Sequence, residues 1–190
     1  MADAIVVGSG ANLSVRAAWV EDALLTPETT LLLQMEVDPN ETAALIHRAR
    51  ARGCRIVLNL APAAPLEAAA LRAVDILTVN ENEWDWLAAN AGADPASLVP
   101  TVIRTLGGDG SEVFSNGTKF HVPAQRIDPV DTTAAGDCFV GVLAAGLDRG
   151  LDLRAALTRA TGAAALCCTR SGSQGSVPWA AETQQFLAIR

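Results

Sequence analysis

The strongest constraint on this 190-residue chain is an alternation of short apolar runs, rich in Val, Ile and Leu, with longer stretches of helical periodicity. The runs at residues 4–7, 30–35, 55–60, 75–79 and 101–106 read as buried strands, and a helical stretch precedes each of them except the first. This pattern marks βαβ units joined by right-handed crossovers. The predicted fold class is therefore α/β, a mostly parallel sheet with helices on both faces. A single domain over 1–190 is expected, because a chain of 190 residues buries one substantial core but is short for two. After the run 30–35, Asp38 can cap a helix, Pro39 suits its first turn, Glu41 complements its dipole and Gly53 ends it.

Beyond residue 106 the pattern changes. Residues 111–114 and 119–122 are strand-like and are separated by Ser115-Asn116-Gly117-Thr118, in which Asn-Gly signals a hairpin. Two helices follow, at 134–147 and 153–166, then a Gly/Ser-rich loop at 169–177 and a closing helix from Trp179.

Charge and composition narrow the partners. With 14 basic and 21 acidic residues the net charge is -7, which repels a phosphate backbone and an anionic membrane surface, so neither is an expected partner. Cys54, Cys138, Cys167 and Cys168 lack paired CxxC spacing, and His47 and His121 lie far from them in sequence, so no zinc site is expected. No apolar run approaches the roughly 18 residues needed to span a bilayer. The N-terminus lacks a secretory pattern, and a cytoplasmic, reducing location is expected.

The segment Asp131-Thr132-Thr133-Ala134-Ala135-Gly136-Asp137-Cys138-Phe139 carries the chemistry. Three residues with little or no side chain precede an acid and an apolar helical stretch, so a ligand phosphate can approach the backbone amides closely. The positive end of the helix favours the charge that phosphoryl transfer presents. A carboxylate at Asp137 could accept a proton from an attacking hydroxyl; the plainer reading is an acid that stabilises a helix start.

That segment resembles the second signature of the PfkB, or ribokinase-like, carbohydrate kinase family. The resemblance implies that Ala134, Ala135, Gly136 and Asp137 form an anion hole in which Asp137 is the catalytic base. Thr105-Leu106-Gly107-Gly108-Asp109-Gly110 is similar to the family's nucleotide-binding turn, at a strand end where an α/β sheet places ligands. Asn80-Glu81-Asn82-Glu83 matches an N-x-x-E motif, implying that Asn80 meets the nucleotide and Glu83 meets hydrated Mg2+; a capped helix start is the plain alternative. Asn59-Leu60-Ala61-Pro62-Ala63 resembles the family's N-x-A-P loop. Glu36 aligns with a sugar-binding acid.

Residues 169–179 look like the loop that faces K+ in ribokinase-type members. By that resemblance the ligands would be Asp131 and Thr133 on one side, with Cys167, Arg170, Gly172 and Ser176 on the other, mostly through main-chain carbonyls; oxygen suits a hard cation. The implied reaction is ATP-dependent transfer of the γ-phosphoryl group to a hydroxymethyl oxygen of a pentose such as D-ribose, with ATP, Mg2+ and K+ as cofactors.

The resemblance covers only the later two-thirds of the family pattern. The expectation is that a lid and the sugar-binding signature are absent, that Gly8-Ser9-Gly10-Ala11-Asn12 merely imitates that signature, and that one helix replaces two between residues 84 and 101. An exposed sheet edge should follow, for which self-association is one cover, and sugar phosphorylation should be impaired. The alternatives are a non-catalytic nucleotide-binding or interaction protein derived from a sugar kinase and, last, a Rossmann dehydrogenase. The latter requires a Gly-rich first turn with an acid about 20 residues later, and Gly8-Ser9-Gly10 matches it only in part.

Overall fold

A strand covered on both faces cannot alternate apolar with polar residues, and two of the inner strands show this plainly. β2 (Arg55–Asn59) buries Ile56, Val57 and Leu58, and β3 (Ile76–Val79) is buried throughout. The computed structural model describes residue 8 and residues 10–189. Six strands lie in sequence order in one sheet. β1 (Thr30–Leu33), β2, β3 and β4 (Thr101–Thr105) are parallel, whereas β5 (Ser111–Ser115) and β6 (Thr118–Val122) are antiparallel. The strand expected at residues 4–7 lies outside the described residues, as does Ser9 of the imitating signature.

Helices cover both faces. α1 (Pro39–Ala51), α2 (Ala68–Arg72) and α3 (Glu81–Asn90) pack Ile46, Ala49, Ala70 and Leu87 against Ile56, Leu58 and Leu77. On the opposite face, α4 (Ala135–Asp148) and α5 (Leu153–Cys168) pack Phe139, Val140, Leu143 and Leu157 against Val57, Ile76 and Ile103. α6 (Ala180–Ala188) closes the chain against α5. Neighbouring residues of one strand thus belong to different cores, as a two-residue side-chain period requires. Among the described residues no helix is long and apolar enough to cross a membrane.

Local signals behave as read. Asp38 accepts the Asn40 amide at 2.8 Å with Pro39 at the first helical position. Asn116 and Gly117, at φ 48° and 79°, supply the two left-handed residues of the hairpin turn. Between Trp84 and Thr101 stand α3 and a 3-10 turn, Pro95–Ser97.

The stretch before β1 differs from the expectation. Residues 10–24 contain three 3-10 turns, Gly10–Ser14, Ala17–Trp19 and Asp22–Leu24, in place of an α-helix. Arg48 donates to the carbonyls of Ala17 at 2.5 Å and Val20 at 2.8 Å, and its guanidinium and that of Arg52 pair with Asp22. A tertiary contact takes carbonyls that a helix would have used for its own amides. Among the described residues β1 lies at the edge of the sheet, and its Leu32 is 37% exposed where Leu58 of β2 is 0%.

The direction of α4 positions the site. Arg55 opens β2 and donates to the carbonyl of Leu147 at 2.8 Å, so the C-terminus of α4 lies where the parallel strands begin. Its 14 residues run back along the sheet, and its first turn lies where the strands end.

Candidate active site

The strand exits are laced together by backbone and hydroxyl contacts. Met35 donates to Ala61 at 3.0 Å, Leu60 to Thr78 at 3.0 Å, and the Thr105 hydroxyl to the Val79 carbonyl at 3.3 Å. The Thr78 hydroxyl also meets Asn59 Oδ1 at 3.2 Å. Carboxyl ends of strands are where an open α/β sheet accepts ligands. The motifs around Glu36, Asn59, Asn80 and Thr105 therefore share one end of the sheet.

The first turn of α4 arrives at that same end. Ala134, expected inside the helix, instead precedes it in a left-handed conformation at φ 60°, an orientation that alanine adopts rarely. Ala135 donates to the Thr132 carbonyl at 3.2 Å and Cys138 to the Ala134 carbonyl at 2.9 Å. The amides of Gly136 and Asp137 have no acceptor among the described residues, and no side chain caps the helix. Gly136 has open space where a Cβ would be. Two N–H groups at the positive end of a 14-residue helix thus face outward. Asp137 is exposed, and its carboxylate makes no hydrogen bond or ion pair with the described residues.

Asn80 and Glu83 form a reciprocal cap. Asn80 Oδ1 accepts the Glu83 amide at 2.9 Å, while Glu83 accepts the Asn80 amide at 2.7 Å and its side-chain Nδ2 at 2.9 Å. Glu83 is buried, which pushes its carboxyl above the ordinary value, and the bond from Asn80 partly offsets this. Each carboxylate oxygen keeps a free lone pair, so the cap leaves acceptor capacity for a metal-bound water.

In the turn 105–110, Leu106 donates to the Gly110 carbonyl at 2.8 Å, Asp109 to Leu106 at 3.0 Å and Gly110 to Gly107 at 3.1 Å. Gly110 has φ 93°, and a Cβ there would run into the backbone of Val122, Pro123 and Ala124. The amides of Gly107 and Gly108 have no acceptor among the described residues.

The final loop folds over the segment that leads into α4. Asp131 Oδ1 accepts the Thr133 amide and Oδ2 the Gly172 amide, both at 2.9 Å. Val130 and Asp131 donate to the Cys168 carbonyl at 2.8 and 3.2 Å. Buried Ser176 meets Cys167 Sγ at 3.1 Å and donates to the Ser173 carbonyl at 2.7 Å. The Arg170 side chain turns to Glu182 at 2.6 Å, which leaves its main chain in the loop. Asp131, Thr133, Cys167, Gly172 and Ser176 are thereby gathered. The Thr133 hydroxyl, then the Gly172 and Thr133 amides, lower the Asp131 carboxyl to about 2. Cys138 contacts Cys167 behind the first turn of α4, and burial pushes its thiol up to about 12, so it packs as an apolar group.

Glu36 stands exposed beyond β1 without a hydrogen bond to the described residues. A surface groove of about 470 Å3, lined by Leu151, Arg154, Thr158 and Leu187, lies at the opposite end of the sheet, beside the C-terminus of α4. Sequence reasoning missed the left-handed Ala134 and the dual role of Asp131 as a clamp. It also passed over His121, considered there only as a metal ligand.

Comparison with known proteins gives the family and the fold. The model of the pfkB family carbohydrate kinases matches residues 4–180, and the chain belongs to that family. The relatives it resembles include the ribokinase of Haemophilus influenzae, 33% identical over 97% of this chain and 65% of the relative, and that of Bacillus subtilis, 32% identical over 98% and 65%. Among solved structures, ribokinase from Thermotoga maritima superposes with a TM-score of 0.88 at 29% identity, covering 96% of this chain and 64% of the other. Arabidopsis thaliana ribokinase complexed with ribose and ATP has a TM-score of 0.84 at 25% identity, over 97% and 64%. The chain spans about 65% of the length of the curated relatives it matches.

Proposed function

We propose that the chain is an ATP-dependent carbohydrate kinase of the ribokinase type, whose acceptor is the hydroxymethyl group of a pentose such as D-ribose. The observation that carries this reading is the free Asp137 carboxylate beside the unpaired amides of Gly136 and Asp137. An acid kept only to cap a helix start would take up those N–H donors itself, whereas Asp137 leaves them unpaired. In this reading Asp137 accepts the proton of the sugar hydroxyl as that oxygen attacks the γ-phosphorus in line. The Gly136 and Asp137 amides stabilise the charge on the transferred group, with Ala134 and Ala135 shaping the turn. Asn80 and the turn 105–110 hold the nucleotide, and Glu36 meets the sugar.

Mg2+ supplies charge neutralisation at the β- and γ-phosphates, and Glu83 would hold it through a water by the lone pairs its cap leaves free. K+ fits the oxygen-rich junction of Asp131 and Thr133 with the loop of Cys167, Arg170, Gly172 and Ser176. Its bound form would reinforce the clamp that Asp131 already makes to Gly172. The setting we assign is the cytoplasm, where ATP is supplied. Calorimetric titration with MgADP and a coupled assay of ribose-dependent ADP release test the reading. MgADP binding together with a ribose-dependent rate lost in Asp137→Ala supports it; ribose-dependent release that survives this substitution overturns it.

A further inference from the structure

We infer that His121 is a positioning residue for the nucleotide turn: by holding the Asp109 carbonyl, it presents the amides of Gly107 and Gly108 to a nucleotide. This rests on the proposed function, since it assigns the turn 105–110 to nucleotide binding.

Three hydrogen bonds among Leu106, Gly107, Asp109 and Gly110 satisfy other backbone groups of the turn internally. The Asp109 carbonyl points away from them, and its partner is His121 Nε2 at 2.7 Å. A carbonyl can only accept, so Nε2 carries the proton, and the neutral ring exists as the Nε2–H tautomer. His121 stands on β6, opposite Glu112 in the antiparallel register, and its neighbour Val122 faces Ser111. Gly110 meets the same stretch from the other side, because the backbone of Val122, Pro123 and Ala124 fills the space where its Cβ would be. The turn is therefore fastened to the exit of β6 twice, once by close backbone contact at Gly110 and once by the imidazole.

The fastening matters because Gly107 and Gly108 are exposed, have little conformational restraint of their own and carry the unpaired amides. Gly107 lies in the left-handed region at φ 53°. A turn free to change its glycine torsions would point those N–H groups in many directions, and ordering it would weaken binding. One hydrogen bond to the turn restricts that freedom at the peptide joining Asp109 to Gly110.

The test compares wild type with H121F, which keeps ring area and removes the donor, and with H121Q, whose side-chain amide restores an N–H at similar reach. Amide hydrogen exchange is followed at 106–110 and, as a control, at 111–115, and MgADP affinity is measured by calorimetry. The expectation is faster exchange confined to 106–110 in H121F, MgADP binding weakened roughly tenfold, and recovery of both in H121Q, with the midpoint of thermal unfolding little changed. Unaltered exchange and affinity in H121F overturn the inference while leaving the kinase reading intact. Equal loss in H121F and H121Q overturns it as well, since then shape rather than donation matters. A wild type that binds no MgADP overturns the inference together with the reading on which it rests.

Discussion

The carboxylate of Asp131 accepts the backbone N–H of Gly172 at 2.9 Å across 41 positions of sequence, fastening the last loop to the approach of α4. The hydrogen bonds to the carboxylate lower its pKa to about 2 from an ordinary value near 3.9. A depressed acid contributes its stabilisation fully above the ordinary value and loses it as pH falls through the folded one. The stability that the clamp contributes should therefore be complete at pH 5 and fall away between about pH 4 and pH 2. The Gly172 amide proton shift should titrate with a midpoint of about 2. A midpoint near 4 would show that the carboxylate is free in solution.

A cation at this junction should act on the nucleotide indirectly. K+ bound there would order residues 169–176 against the turn that leads to Gly136, so MgADP should bind more tightly in K+ than in Na+, and more tightly in Na+ than in tetramethylammonium at matched ionic strength. Calorimetry in the three salts gives the order. Equal affinities would remove the cation from the site.

Asp137→Asn separates chemistry from folding. The side chain is exposed and makes no hydrogen bond to the described residues, so its loss should cost at most about 0.3–1 kcal/mol through the helix dipole. Removing the proposed general base should slow ribose-dependent ADP release by about 100-fold to 10,000-fold while MgADP binding persists. Thermal unfolding and the coupled assay measure the two effects on one sample. A large fall in unfolding temperature would assign Asp137 to the fold instead.

Two leucines on adjacent strands should differ in what they contribute. Leu58, 0% exposed between helices and sheet, should cost about 2–5 kcal/mol when changed to alanine, because transfer and cavity terms add. Leu32 on β1, at the edge of the sheet among the described residues, is 37% exposed and should cost less than about 1.5 kcal/mol, since much of its area already meets water. Urea unfolding with unchanged slope measures both. A Leu32→Ala cost matching that of Leu58→Ala would mean that the edge is covered in solution.

Much of the fold was legible because its causes are local. The strand runs, Asp38 with Pro39, Asn116 with Gly117 and the Asn80–Glu83 cap each depend on residues within four positions of one another. The 131–139 signature was legible for the same reason: adjacent amides and an acid at one helix start must be contiguous in the chain. Other features depend on chain segments that only folding brings together. Arg48 and Arg52 divert residues 17–22 from a helix, Asp131 reaches Gly172, and His121 reaches Asp109 through the pairing of β5 with β6. Ala134 sits at φ 60° against alanine's own preference. Local propensity differs by tenths of a kcal/mol between ordinary residues, whereas a lost hydrogen bond or an unpaired buried group costs a kcal/mol or more, so the tertiary contacts decide these positions.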